Sequence, residues 1–360
     1  YSPDTGLVIS TGGGGVGFNG DATISNLYVK YGDMLEMSAD KISVHGKLSF
    51  SFSITPGSST SIGVNAGGFS LKIENFDLDS DFLVASFNEL YMGGEGFVRI
   101  GLGEDYKVVV LDVDGRVHIY GLDVPAYGIA LSFGVDLTLA GELSYSTQND
   151  KLTVHIYGHQ PVEIDNFYFN LNHGQILASW DTLHLDVSAY AEVTMSSMGI
   201  KLDASLEYVN FDNAYILIDS NEMEIEGSFS LSAGGLLEIK VNTESNPNYI
   251  KVDLESGVAD INNFYFTFSQ TGLSLDVDFN NLHIEATAAL YVKIKNSGSS
   301  KKISLDAEGK GLITLETFSV FGNIDDDISP VLIDINLDYF KFELDDIKGS
   351  VIGLELSDKI

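Results

Sequence analysis

Ile164-Asp165-Asn166-Phe167-Tyr168-Phe169-Asn170-Leu171 decides how the chain is read, because a near copy, Ile261-Asn262-Asn263-Phe264-Tyr265-Phe266, returns ninety-seven residues later. From Ile164 the chain alternates between its two sides, the period-two mark of a strand with one buried face. It makes a polar turn at Asn172-His173-Gly174-Gln175 and comes back through Ile176-Leu177-Ala178-Ser179-Trp180-Asp181-Thr182-Leu183-His184-Leu185. The passage is two strands and a turn. The alternation puts Phe167 and Phe169 on one face with Tyr168 on the other, and Phe264, Phe266 and Tyr265 repeat the arrangement.

Looser copies lie on either side. Ile24-Ser25-Asn26-Leu27-Tyr28-Val29, Ile73-Glu74-Asn75-Phe76-Asp77-Leu78 and a degenerate Val209-Asn210-Phe211 each open an outgoing strand. The return strands share a Ser-x-Asp/Asn-x-aliphatic pattern, seen at Ser38-Ala39-Asp40-Lys41-Ile42, Ser86-Phe87-Asn88-Glu89-Leu90 and Ser179-Trp180-Asp181-Thr182-Leu183. Starts at 24, 73, 164, 209 and 261 are separated by 49, 91, 45 and 52 residues. The unit is therefore about 45–50 residues, with one copy hidden between 73 and 164.

No segment carries an apolar 3.6-residue period over the ten to twelve residues that identify a helix. The expected fold is all-β: repeated β-arch or antiparallel strand units forming stacked sheets, solenoid-like or sandwich-like, with roughly two dozen short strands. Residues 1–23 are expected to be a Gly-rich N-terminal arm and 24–360 a single elongated repeat-built β domain. The run Thr11-Gly12-Gly13-Gly14-Gly15-Val16-Gly17 lacks the Gly-Lys-Ser/Thr and following helix of a phosphate-binding loop, so it reads as an arm or tight turn.

Lys and Arg number 19 against 52 Asp and Glu, a formal charge of −33, in a chain that is 44% apolar. That apolar content is too high for charge-driven disorder. Affinity for nucleic acid or an anionic bilayer comes from neutralising phosphates with basic side chains, so neither is an expected partner. Assembly of so acidic a chain should respond to salt and divalent ions. The absence of cysteine excludes disulfides, thiolate zinc sites and thiol nucleophiles. No stretch reaches the roughly 20 apolar residues of a membrane-spanning helix, and the chain starts at Tyr1 rather than Met. The expectation is an exported protein, extracellular, without membrane insertion.

Candidate chemistry is sparse. His155 and His159 are four apart, but the spacing specifies a common metal only on a helix. Asp77, Asp79 and Asp81 share a strand face, and Asp325-Asp326-Asp327 forms an acidic cluster before Pro330. Calcium takes several oxygen ligands from such loops, so Asp325, Asp326 and Asp327 are the candidate metal site and calcium the candidate ion. No Gly-x-Ser-x-Gly elbow or distinguished carboxylate pair is present, and the chain is expected not to be an enzyme and to use no cofactor.

The cysteine-free acidic composition, the start Tyr1-Ser2-Pro3-Asp4-Thr5-Gly6 and the Phe-Tyr-Phe repeats together make the chain resemble the major sheath proteins of filamentous methanogenic archaea. The resemblance implies an extracellular, amyloid-like β-sheet subunit that associates with itself into hoops forming a tube around cells, and it brings no catalytic residues. The Ile-x-Asn-Phe-x-Phe repeat also looks like that of bridge-like lipid carriers of the AsmA type, which implies an apolar groove. A carbohydrate-binding β-helix is the remaining alternative.

Overall fold

The computed structural model describes residues 8–10, 13–33, 35–55, 59–80, 83–101, 106–126, 129–172, 176–196, 199–218, 223–232, 235–240, 249–254, 257–270, 273–296, 302–324, 333–344 and 350–355. They form nineteen strands and no helix, so the all-β expectation holds. The strands are fewer and longer than turn spacing suggests, because many run for about twenty residues without interruption. The chain divides into two compact units, Tyr1–Tyr157 with Val162–His173, and Gly158–Pro161 with Gly174–Ile360.

In the first unit β1 (Val8–Ser10), β2 (Gly13–Tyr31), β3 (Leu35–Thr55), β4 (Ser59–Ser80), β5 (Val84–Gly101), β6 (Lys107–Ala126) and β7 (Ile129–Ser146) pair in chain order, every neighbour antiparallel. Residues 13–23 of the expected arm belong to β2. The shorter β8 (Lys151–Tyr157) and β9 (Gln160–Leu171) lie end to end along β7. In the second unit β10 (Ile176–Ser196) pairs β11 (Gly199–Ile218), which carries β12 (Met223–Ser232) and β13 (Gly235–Lys240) end to end. Next come β15 (Gly257–Gln270) on β12 and β14 (Tyr249–Leu254) on β13, and both meet β16 (Leu273–Asn296). Then β17 (Lys302–Ile324) follows, with β18 (Ile333–Leu344) and β19 (Ser350–Glu355) end to end on its far edge.

Two lines cross these strands at right angles. The first is a crease. In the first unit it runs through Gly20 opposite Gly46, register slips at His45/Lys47 and Ala66/Phe69, and Gly94 opposite Gly115. It ends where β8 stops and β9 starts. Gly94 and Gly115 have φ of 118° and 149°. A Cβ on Gly94 would collide with the Asp114 carbonyl oxygen, and one on Gly115 with that of Gly93, so only glycine lets the two backbones close on each other here. In the second unit a matching line shows as register slips in β10 between Asp186 and Tyr190 and in β16 between Ala286 and Leu290. It also falls at the breaks between β12 and β13 and between β18 and β19.

The crease folds the first unit's sheet over on itself. Phe169 pairs with Phe133 in register, and Tyr145 lies twelve residues beyond Phe133 on the same strand. Fully extended, twelve residues reach about 40 Å. Yet the rings of Tyr145 and Phe169 are 6.2 Å apart, so the two halves of β7 turn toward each other with their apolar faces inside. β7 is therefore an arch, and the same crease passes through its neighbours in register, with their inward side chains packed into one core. Leu71, Ala85, Val117, Leu122, Leu137, Val154 and Ile164 are fully buried in it.

Candidate assembly surface

The second transverse line is the structural meaning of the sequence repeat. Along a strand one residue in two faces inward, but at this line two successive residues face outward and the alternation resets. Asp40 and Lys41 sit between buried Ala39 and Ile42, Asn88 and Glu89 between Phe87 and Leu90, Asp165 and Asn166 between Ile164 and Phe167, and Asp181 and Thr182 between Trp180 and Leu183. On the outgoing strands the line is marked by an unusual backbone. Asn26, Asn75, Asn166 and Asn213 have φ of 53°, 50°, 51° and 50°, the left-handed region that asparagine enters more readily than other residues with a side chain.

Register places the two sequence motifs side by side. Lys41 pairs Glu74 and Ala39 pairs Phe76, so Asp40 stands opposite Asn75. Likewise Thr182 pairs Asp212 and Ser179 pairs Tyr215, putting Asp181 opposite Asn213. In both cases the left-handed Asn Nδ2 donates to the Asp Oδ2 of the preceding strand, at 2.8 Å. The Ile-x-Asn-Phe and Ser-x-Asp motifs are thus two halves of one cross-strand contact. The hidden copy is Ile119-Tyr120-Gly121-Leu122, where Gly121 (φ 67°) takes the asparagine's place opposite Asn88. The left-handed residues 26, 75, 121, 166 and 213 follow one another at 49, 46, 45 and 47 residues. The copy read at Val209-Asn210-Phe211 is corrected to Phe211-Asp212-Asn213-Ala214, since the left-handed residue is Asn213. Further along the second unit the register carries the line through Asn263 opposite Asn280, Asn280 opposite Thr317, and Thr317 opposite Asp338.

The outward face is acidic, and two of its cations, Lys72 and Arg116, stand where carboxylates oppose each other. Glu74 and Glu89 are directly paired, and Lys72 Nζ sits 2.8 Å from one and 2.9 Å from the other. Hydrogen bonds to these two carboxylates push the Lys72 ammonium up to about 12 and hold the Glu74 carboxyl below its ordinary range. Asp136 and Asp165 are paired in the same way. Arg116 grips Asp136 through Nε at 2.9 Å and Nη2 at 2.6 Å, which raises the guanidinium pKa further. The sheltered Asp165 Oδ1 has no hydrogen-bond partner among the described residues. Like charges directly opposed on a sheet are destabilising, so the bridging cations offset a real repulsion.

Four histidines each lie beside a single carboxylate. His45 contacts Asp21, His283 Nδ1 lies 2.7 Å from Asp260, His118 Nδ1 lies 3.7 Å from Asp136, and His184 Nε2 lies 3.3 Å from Asp186. His155 packs against Tyr157 with the rings tilted at 56° and centroids 4.5 Å apart, while His159 lies beyond the end of β8 and outside that contact. Among the described residues no three His, Asp or Glu side chains converge as a metal would require. Asp81 and the calcium candidates Asp325, Asp326 and Asp327 lie outside the described residues.

Tyrosines complete the face as the alternation predicts. Phe167 and Phe169 are 2% and 0% exposed while Tyr168 is 40% exposed, and Tyr28, Tyr120 and Tyr208 also project outward. A shallow depression of about 240 Å³, lined by Asp21, Thr23, His45, Ser70 and Lys72 among others, opens on this polar side. Comparison of the chain with protein-family models, with curated proteins and with solved structures finds no match.

Proposed function

We propose that the protein is a non-catalytic structural subunit that joins copies of itself by strand pairing, building an extracellular sheath or filament of stacked hoops or a tube. The observation that carries this reading is the pair of uncovered rims. The outer edge of β2 meets only β1, at Gly13–Gly15, leaving Val16–Tyr31 without a partner strand among the described residues. At the other end of the chain, β18 and β19 pair β17 alone among the described residues. A long regular edge is a row of unsatisfied backbone donors and acceptors, and another strand is the partner that satisfies it best.

The lipid-carrier alternative needs an open apolar groove. In the first unit the inward side chains are closed off by the opposite half of the same sheet, which favours a scaffold over a carrier. Electron microscopy and fibre diffraction of the purified chain, with and without calcium, test the proposal. Ordered fibres or tubes with the roughly 4.7 Å spacing of paired strands are expected. A monomer under all these conditions, or co-purifying acyl chains by mass spectrometry, overturns it.

A further inference from the structure

We infer that copies join head to tail in one register, with β2 of one copy antiparallel to β18 of the next and Asn26 opposite Asp338; this rests on the strand-pairing reading above. Three observations converge. First, chain direction alternates from strand to strand within each unit, and β18 runs from the asparagine–aspartate line toward the crease while β2 runs from the crease toward that line. The two rims are therefore correctly oriented for an antiparallel ladder, the commoner and slightly stronger pairing.

Second, the lengths match. From the crease to the end of the strand, β2 offers Gly20–Tyr31 and β18 offers Ile333–Leu344, twelve residues each. Setting Asn26 opposite Asp338 brings Tyr31 opposite Ile333 and Gly20 opposite Leu344. Both transverse lines then cross the junction unbroken.

Third, the contact has a missing half. In each of the two recorded pairs, a left-handed Asn donates to the Asp of the preceding strand. Asn26 has the same backbone conformation, φ 53°, on the first long strand, and has no such acceptor among the described residues. Asp338 occupies the line on β18 with no strand on its far side among the described residues. The junction between copies has the residue types of Asp40 and Asn75. A heterologous interface of this kind repeats one step at every joint, giving a ring if the step closes and a helical filament if it does not.

The absence of native cysteine makes the register directly measurable. In this register Thr23 stands opposite Lys341. Full-length Thr23→Cys and Lys341→Cys chains, mixed at assembling concentration and oxidised, should yield mainly the mixed disulfide dimer, joined between position 23 of one copy and position 341 of the other. Pairing Thr23→Cys with Asn336→Cys, five positions out of register, should yield at least ten-fold less. Asn26→Gly, which keeps the left-handed backbone and removes the amide, should weaken assembly about five-fold, the size of one net hydrogen bond, without moving the monomer's melting temperature. Fibres in which only like variants cross-link to each other, or in which position 336 reacts as well as position 341, overturn this register and leave strand-paired assembly standing. Failure of the unmodified chain to assemble and of every mixture to cross-link overturns both.

Discussion

Asn75 does two things at once, and substitution separates them. Its backbone sits at φ 50° and its amide donates to Asp40. Asn75→Ala should lose both, at about 1–2 kcal/mol for a Cβ-bearing residue held left-handed plus about 1 kcal/mol for the hydrogen bond. Asn75→Gly should recover the backbone part, and the gap between the two variants in urea titration reads the strain of a left-handed alanine less the greater unfolded-chain entropy of glycine. Gly94→Ala should be worse than either, because its Cβ meets backbone rather than a movable side chain. Arg116→Gln should lower the melting temperature by leaving Asp136 and Asp165 opposed without their cation. Asp165→Asn in that background should restore it, which a purely steric role for Arg116 would not produce. At this scale the sequence announced the asparagine but not its conformation. Asn210 and Asn213 serve the alternation equally well, and only the backbone angle chooses Asn213. Gly121 hid a copy for the opposite reason: it satisfies the same backbone demand with no side chain to recognise.

A strand that doubles back on itself leaves a different signature. Tyr145 is buried against Phe169, and burial, with Asp150 adding to it, pushes its phenol well above the ordinary 10.0. A raised acid pKa means the folded chain holds its proton more tightly. The stabilisation is fully present below pH 10 and is lost as pH climbs past the unfolded value toward the folded one. Tyr145→Phe should therefore shift the alkaline unfolding midpoint upward, monitored by circular dichroism. Strand existence, inward and outward faces and the hairpin period were legible because burial writes itself into period-two alternation, as the opposite exposures of Phe167 and Tyr168 record. The arch was not legible. In the first unit its crease is made of a glycine pair between β5 and β6, register slips along β3, β4 and β5 and a chain break between β8 and β9, three local chemistries with one geometric outcome and no common motif.

For the whole molecule the −33 charge sets the conditions for the strand-paired assembly proposed above. Raising salt from 0.01 M to 0.15 M shortens the screening length from about 30 Å to about 8 Å, so assembly followed by light scattering should accelerate strongly over that range. Acid acts in two windows. Between pH 7 and about 5, partial carboxylate protonation lowers the repulsion between copies and assembly should speed up. Below the ordinary glutamate value of 4.5, Glu36 and Glu74 must be protonated out of their contacts with Lys30 and Lys72, which hold both carboxyls below that value. Their contribution is present above 4.5 and lost as pH falls through the folded values, so monomer stability should decline there even as association is favoured. The repeat has one more consequence, for how such a chain can change size. Each hairpin brings one copy of both transverse lines and hands its neighbour an edge like the one it received. Splicing a whole hairpin in or out therefore lengthens or shortens the subunit in steps of about forty-seven residues while leaving the two end strands, and the joint proposed between them, as they were.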